Sequence, residues 1–422
     1  MLEADAFLAT ILENPDDDAP RLVFADWLDE HGDSERAEFI RVQIELAHGP
    51  TEAHRRSFLK RREKDLLQAH RKEWLKSLYD KLQTIRGTTS PLLAPGLFQY
   101  FPSVLRARNF AFTAGILAGD EPGAVPAREE MVALFSQILD PLQIQLPMEN
   151  VVHCRFRRGF VESASLLATD FIRFAEGLFA LIPLREIQAY GGALQRGFSE
   201  LFVCPHLKRL AGLQLNGVLS EDVLELFVNS PNVVELRRLD MHEAPIPREQ
   251  AGRLLSATNL PAVRELNLSS LQLGNASLGW LARNSNWQNL CVLKLSQTGL
   301  CDEGLLTLTG PDSGLSNLTH LDLSHNSITP TGAVFLAHSS LAGHLQELDL
   351  GHNHLSDSWV ENLTRWPTRF LGRHSLSPWV QQLLAAPLAG GLKRLNLGGH
   401  MLLREDRLAL QERFGPRLTW DE

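Results

Sequence analysis

The side chains most capable of chemistry lie in two short segments of the same form, HLDLSH from 320 to 325 and ELDLGH from 347 to 352. Carboxylates and imidazoles held together on a rigid surface could bind a divalent cation, or could receive a basic peptide. Aspartate in such a segment is also an ordinary solvated residue. These three interpretations stay open at this point, and no metal and no cofactor is assigned to the chain.

Both segments belong to a sequence repeat that begins near Leu184. The repeating element is LxxLxL, and between residues 213 and 348 its middle leucine recurs every 26 to 28 residues. Alternate residues of a strand face opposite sides, so both leucines of LxL point into one apolar core. The segments 221–227 and 331–337 between strands place apolar residues at helical spacing. One strand and one helix per repeat therefore predict an α/β solenoid.

The last clear element, at 392–397, follows the previous one only after 47 residues. This step leaves room for one more, degraded repeat, which we expect around 366–375.

A repeat of this length with this leucine spacing resembles leucine-rich repeats, and a full helix in each unit resembles their ribonuclease-inhibitor-like class. The copies most similar to that class are LDLSHNSITPTGAVFLA from Leu321 and LDLGHNHLSD from Leu348. The asparagine usual at the turn is present at Asn326 and Asn353. The resemblance implies parallel strands on a concave face and helices on a convex face, over residues 151–422.

In such a solenoid, the residue before each LxL and the residue inside it face solvent on the inner surface. Equivalent positions on adjacent strands lie about 4.8 Å apart. Asp322 is therefore expected beside Asp349, and His325 beside His352, with His320 beside Glu347. Concave sheets of solenoids are general binding surfaces, so we expect a partner protein here. The predicted partner-binding residues are Arg238, Asp240, Glu265, Asn267, Lys294, His320, Asp322, His325, Glu347, Asp349, His352 and Arg394.

Composition excludes several classes of protein. The 422 residues include 41 basic and 50 acidic side chains, a net charge of −9, which argues against a nucleic-acid partner. No apolar run approaches the roughly 20 residues of a membrane span, and the acidic start lacks the features of an export signal. We therefore expect a cytoplasmic chain, monomeric by itself, without membrane insertion. Reduced, buried thiols are predicted for Cys154, Cys204, Cys291 and Cys301.

Residues 1–47 are predicted to form three short helices. Asn14-Pro15 ends the first, and an aspartate of the following DDD run precedes the second, with Pro20 in its first turn. Val23/Trp27 and Phe24/Leu28 are spaced to stack along this helix before His31-Gly32 ends it. Asp26 is expected to pair with Arg21 or Arg41 and to orient the helices, and this reading is preferred to a catalytic one.

The segment FLATILENPDDDAPRLVFADWLDEHGDSERAEFIRVQIELA, from 7 to 47, resembles the bacterial repeat-companion domain, a short module found ahead of leucine-rich repeats. The DDDAPRLVFADWLDEHGD core carries the resemblance most specifically. The later segment FRRGFVESASLLATDFIRFAEGLFALIPLREI, from Phe156 to Ile187, resembles that family's usual first repeat. The resemblance implies an architecture and no activity.

Charge changes sign after this module. Residues 1–50 carry a net charge of −10, whereas residues 51–81 carry a net charge of +5. One interpretation of the basic helical connector, 48–86, is a patch for nucleic acid or anionic lipid formed by Arg55, Arg56, Lys60, Arg61 and Arg62. The other is a solvated helix, neutralised by its neighbours, with its apolar side chains turned inward. The inward set would be Phe58, Leu66, Leu67, Trp74 and Leu75.

Between 87 and 150 lies an insertion rich in proline, glycine and aromatic residues. It could be a packed insert, a partner-binding element or a partly disordered segment. We found no nucleophile elbow, phosphate loop, zinc-protease helix or dinucleotide fingerprint in the chain. The favoured function is a non-enzymatic scaffold for a partner protein. The alternatives are a regulator or adaptor of a partner enzyme, resembling GTPase activators or ligase adaptors, and an enzyme concealed in the insertion.

Overall fold

The computed structural model describes residues 2–49, 52–86, 153–191, 196–355, 376–400 and 402–420. The insertion at 87–150 and the degraded repeat expected at 366–375 lie outside these ranges. The chain divides into two compact units, Met1–Ala189 and Tyr190–Glu422. No helix in the described ranges is long and apolar enough to cross a membrane.

The first unit begins with the three expected helices, α1 (Leu2–Glu13), α2 (Ala19–Glu30) and α3 (Ser34–Ala47). The cap of α3 is local: Asp33 accepts a hydrogen bond from the backbone N–H of Arg36 at 3.2 Å. Gly32, with φ of +86°, separates α2 from α3. The long basic helix α4 (Ala53–Arg86) follows.

The three short helices pack around a common apolar core. Phe24 and Leu28 of α2 meet Ile40 of α3 and Phe160 from a later strand. The predicted pair Phe24/Leu28 is buried, whereas Val23, from the predicted pair Val23/Trp27, is half exposed.

A β-hairpin and a helix complete the first unit. Strand β1 (His153–Arg157) pairs antiparallel with β2 (Phe160–Leu167), and α5 (Ala168–Leu181) leads to β3 (Glu186–Tyr190). Arg158 and Gly159 form the hairpin turn with φ of 48° and 86°. A Cβ on Gly159 would lie 2.3 Å from Cγ1 of Ile40, so only glycine fits.

The second unit is a series of strand–helix repeats. Its strands are β4 (Gly212–Asn216), β5 (Arg238–Glu243), β6 (Glu265–Asn267), β7 (Val292–Lys294), β8 (His320–Asp322), β9 (Glu347–Asp349), β10 (Arg394–Asn396) and β11 (Leu418–Thr419). Its helices are α6 (Arg196–Val203), α7 (Glu221–Asn229), α8 (Ala251–Leu255), α9 (Gly274–Arg283), α10 (Asp302–Thr309), α11 (Pro330–Ala337), α12 (Pro378–Ala385), α13 (Leu388–Gly391) and α14 (Arg404–Phe414). Neighbouring strands from β4 to β11 pair in parallel.

The leucines of LxxLxL form the core of this unit. Leu239, Leu293 and Leu395 are fully buried, as are the leucines that follow the strands, such as Leu323. Burial of each such side chain contributes about 1.5–3 kcal/mol of transfer free energy. The predicted α/β solenoid of leucine-rich-repeat type is confirmed.

The step of 47 residues separates β9 from β10 in the sequence. Arg394 of β10 is the direct register partner of Glu347 in β9, so these two strands are neighbours in the sheet. The two-residue strand β11 lacks the LxxLxL pattern and was not predicted.

The cysteines are free thiols, as expected, but burial divides them. Cys154 and Cys204 are buried, and burial raises the pKa of Cys154 to about 12. Cys291 and Cys301 are half exposed, so the prediction of burial is wrong for these two. Cys291 lies immediately before β7, and Cys301 lies immediately before α10.

Candidate functional site

The twelve predicted partner-binding residues all lie in the second unit, on one side of its sheet or at the turns that follow its strands. Two rows run across the strands. We call the residues before LxL the first row: Arg238, Glu265, Val292, His320, Glu347 and Arg394. We call the residues inside LxL the second row: Asp240, Asn267, Lys294, Asp322, Asp349 and Asn396.

The neighbours expected in these rows are confirmed. His320 is the register partner of Glu347, and Asp322 is the register partner of Asp349. The pairing follows from the nearly constant repeat length, which keeps equivalent residues in register between strands.

Ion pairs neutralise most charges of the first row. Arg238 Nε lies 2.7 Å from Glu265 Oε2. Glu347 contacts Arg394 on one side and His320 on the other, where Nε2 lies 3.3 Å from Oε1. These side chains are partly exposed, and such pairs contribute at most about 1 kcal/mol each. Their main effect is to satisfy the charges locally.

The second row follows a regular hydrogen-bond pattern. One side-chain oxygen of Asp349 accepts from the N–H of Gly351 at 2.9 Å, and the other accepts from Nδ2 of Asn396 in the next repeat at 3.1 Å. Asp240 does the same with the N–H of His242 and Nδ2 of Asn267, both at 3.1 Å. Each aspartate is thus satisfied by its own turn and by an amide one repeat ahead.

Asp322 departs from this pattern. Its Oδ1 accepts from the N–H of Ser324 at 3.0 Å and from the Ser324 hydroxyl at 2.7 Å. The residue one repeat ahead is Asp349, which has no donor to offer. Within the described part of the chain, Oδ2 of Asp322 accepts no hydrogen bond. The hydrogen bonding from one repeat to the next is therefore interrupted at Asp322, and we call this interruption the break at Asp322.

Imidazole rings line the turn after the strands. His325 and His352 both have φ of 55°, and their rings stack with centroids 4.2 Å apart. The predicted contact between them is confirmed. Each backbone N–H donates to the carbonyl of the next repeat, from His325 to Gly351 at 2.9 Å and from His352 to Gly398 at 2.8 Å. This ladder holds the rings in place.

Sequence reasoning missed His400 and His242. His400 Nε2 lies 2.9 Å from the carbonyl of Leu350, and the pKa of His400 is lowered by burial and by the proximity of His352 and His354. His242 Nδ1 lies 2.7 Å from Asp240 Oδ1. Although burial raises the pKa of Asp240, the hydrogen bonds from His242 and Asn267 lower it overall. Both histidines follow an LxL element closely, which is the signal that could have found them.

The described residues contain no group of three or more histidine, cysteine, aspartate or glutamate side chains that could hold a metal ion.

Polar contacts of the first unit also differ in part from expectation. Arg41 pairs with Asp26 at 2.7 Å, as predicted, and with Asp29 at 2.6 Å. Arg21 instead pairs with Glu162 at 2.7 Å in the buried interior. The interpretation that the pair orients the helices agrees with the Arg41 contacts, which join α2 to α3.

Two basic side chains of α4 are neutralised by acidic side chains of α3. Arg55 and Arg62 form two-pronged hydrogen bonds with Glu45 and Glu38, which favours the solvated-helix interpretation over a nucleic-acid patch. Leu66 and Leu75 are buried as expected. Phe58 is 53% exposed beneath the Arg55 guanidinium, so the prediction that it turns inward is wrong.

A family model described as Leucine Rich repeat matches residues 314–337 and 344–358, the repeats that contain β8 and β9. The protein thus contains leucine-rich repeats. No curated protein matches the sequence. Among solved structures, an internalin from Listeria monocytogenes matches with 16% sequence identity and a TM-score of 0.26, over 71% of this chain and 98% of that one.

Proposed function

We propose that the protein is a non-enzymatic interaction scaffold that binds a partner protein on the face formed by the first and second rows. The observation that carries the proposal is the break at Asp322. Among the described residues, one oxygen of this carboxylate has no hydrogen-bond donor, and the carboxylate lies beside a second one, that of Asp349. A partner that presents a basic side chain here would supply the missing donor.

The backbone of this face is well suited to binding. Parallel strands, buried leucines and the turn ladder at His325 and His352 hold the side chains in fixed positions before any partner arrives. Binding to a preformed surface avoids the loss of conformational entropy that ordering a flexible segment would require.

Binding of the partner tests the proposal. A protein that co-purifies from the native cell would be produced pure, and its Kd for the full chain measured at increasing salt. Asp322→Arg and Asp349→Arg should each weaken binding about tenfold or more, because each places a cation against the partner's basic group. Asp312→Arg is the matched control, since Asp312 is an exposed acid away from both rows.

Unchanged affinity in both row variants would move the binding site elsewhere. Stimulated turnover of a co-purifying enzyme would identify the scaffold as a regulator of that enzyme.

Several narrower assignments belong to the same proposal. We propose that residues 1–47 are a repeat-companion module, supported by the helices α1–α3, and that the repeats are of the ribonuclease-inhibitor-like class, supported by helices such as α9 and α10. We also propose a monomeric, cytoplasmic protein of a bacterium, to which the free thiols are suited. Light scattering of the pure chain would test the monomer.

A further inference from the structure

The break at Asp322 has a counterpart on the neighbouring strand. Lys294 of β7 is the register partner of Asp322 in β8. Lys294 is exposed, and in the described part of the chain neither residue takes part in an ion pair. Two opposite charges therefore lie side by side on adjacent strands and both remain available to a partner.

Lys294 and Asp322 differ from the neighbouring charged residues of the first row, which form ion pairs with one another. Glu265 is neutralised by Arg238, and Glu347 by Arg394 and His320, so the first row offers little net charge on either side. Val292 lies on the same strand and the same face as Lys294 and is half buried. An apolar contact thus adjoins the two charges.

We infer that Lys294 and Asp322 together bind a helical segment of the partner that presents one carboxylate and one basic group on the same face. This inference rests on the proposed function and names the chemistry of the partner. Adjacent strands are about 4.8 Å apart, and residues three or four apart on a helix have Cβ atoms about 5–6 Å apart. One helix face can therefore place a carboxylate at Lys294 and a basic group at Asp322.

A site with one positive and one negative charge, at Lys294 and Asp322, can discriminate between partner helices. A helix with two bases would satisfy Asp322 but set a cation against Lys294, and a helix with two acids would do the reverse. Like charges brought together at an interface oppose binding strongly. The pair should therefore select mixed acid–base segments.

A displayed library of helical peptides tests this inference on the full chain. Two positions, i and i+4, are randomised among Glu, Lys and Ala. The wild-type chain should enrich the mixed Glu/Lys peptides about tenfold over those with two lysines or two glutamates. Lys294→Glu should shift the enrichment to two lysines, and Asp322→Lys should shift it to two glutamates. Asp312→Lys is the control and should enrich the same peptides as the wild type.

The outcomes separate the two proposals. If the wild type enriches peptides with two lysines and Lys294→Glu changes nothing, the inference is overturned while recognition of a basic partner stands. If the peptides enriched by the wild type bind Asp322→Lys equally well, the proposed binding face itself is overturned. If the wild type enriches none of the peptides over an unrelated protein, the inference is overturned. Lys294→Gln and Asp322→Asn, which keep the side-chain size, serve as replacements if a charge reversal impairs folding.

Discussion

The imidazole rings of His325 and His352 lie parallel, with 4.2 Å between centroids and 7° between planes. They stack because both residues occupy the same left-handed turn in consecutive repeats. The repeat period therefore brings these two side chains into contact at the turns that follow β8 and β9.

The stability of the second unit should fall on mild acidification. The pKa of His400 in the folded protein is lowered from 6.5 by burial, with His352 and His354 adding to the effect and Asp349 opposing it. The unfolded chain therefore binds this proton more readily, so stability is complete above about pH 6.5 and is lost as pH falls toward the folded-state pKa. Denaturant unfolding at pH 7.5 and 5.5 should show the drop.

Removal of the titrating ring should reduce this dependence on pH. His400→Gln is expected to narrow the difference in unfolding free energy between pH 7.5 and 5.5. His338→Gln, at an exposed position after α11, should leave the difference unchanged. If the unfolding free energy depends on pH equally in both variants, groups other than His400 cause this dependence.

Asp349→Asn should stabilise the second unit. The new amide would donate to Oδ2 of Asp322, as Asn267 and Asn396 donate to the aspartates before them, but Asn396 would lose its acceptor at position 349, so these two changes offset each other. The substitution removes a like-charge pair from adjacent strands, and we expect a gain of about 0.5 kcal/mol. Asp322→Asn is the control, because it removes the same repulsion but also removes the opposite charge beside Lys294. Thermal unfolding that ranks the control equal or higher contradicts this electrostatic argument.

Gly159→Ala should destabilise the first unit far more than Gly32→Ala. Both glycines have φ of 86°, so both substitutions carry the same backbone strain of about 1 kcal/mol. Only at Gly159 would the new Cβ meet Ile40, at 2.3 Å from Cγ1, whereas nothing lies within 4 Å at Gly32. We expect a total loss of about 3 kcal/mol at Gly159, measured by denaturant unfolding. Similar losses at the two positions would mean that Ile40 moves aside.

Loss of the buried ion pair between Arg21 and Glu162 should strongly lower the free energy of unfolding. Arg21 and Glu162 have fully or almost fully buried side chains, and burial raises the pKa of Glu162 although Arg158 and Arg21 oppose this. Arg21→Gln should lower the free energy of unfolding by about 3 kcal/mol, because the carboxylate loses a buried partner. Arg41→Gln breaks an exposed pair and should cost less than about 1 kcal/mol. Comparable losses in the two variants would rule out burial as the cause.

The leucine pattern determined the repeats and much of the candidate site from sequence alone. A nearly constant period forces equivalent residues of consecutive strands into register, so the neighbours Asp322/Asp349 and His325/His352 followed from counting. The three short helices were also predictable, because proline, glycine and capping residues act within a few positions of themselves.

Only the tertiary structure decided the contacts that the repeat period does not specify. Arg21 finds its partner 141 residues away at Glu162, and no local pattern specifies that distance. The direct pairing of β9 with β10 and the exposure of Phe58 depend on how whole elements pack. The break at Asp322 likewise depends on which oxygen meets a donor one repeat ahead, a matter of side-chain geometry that residue types alone leave undetermined.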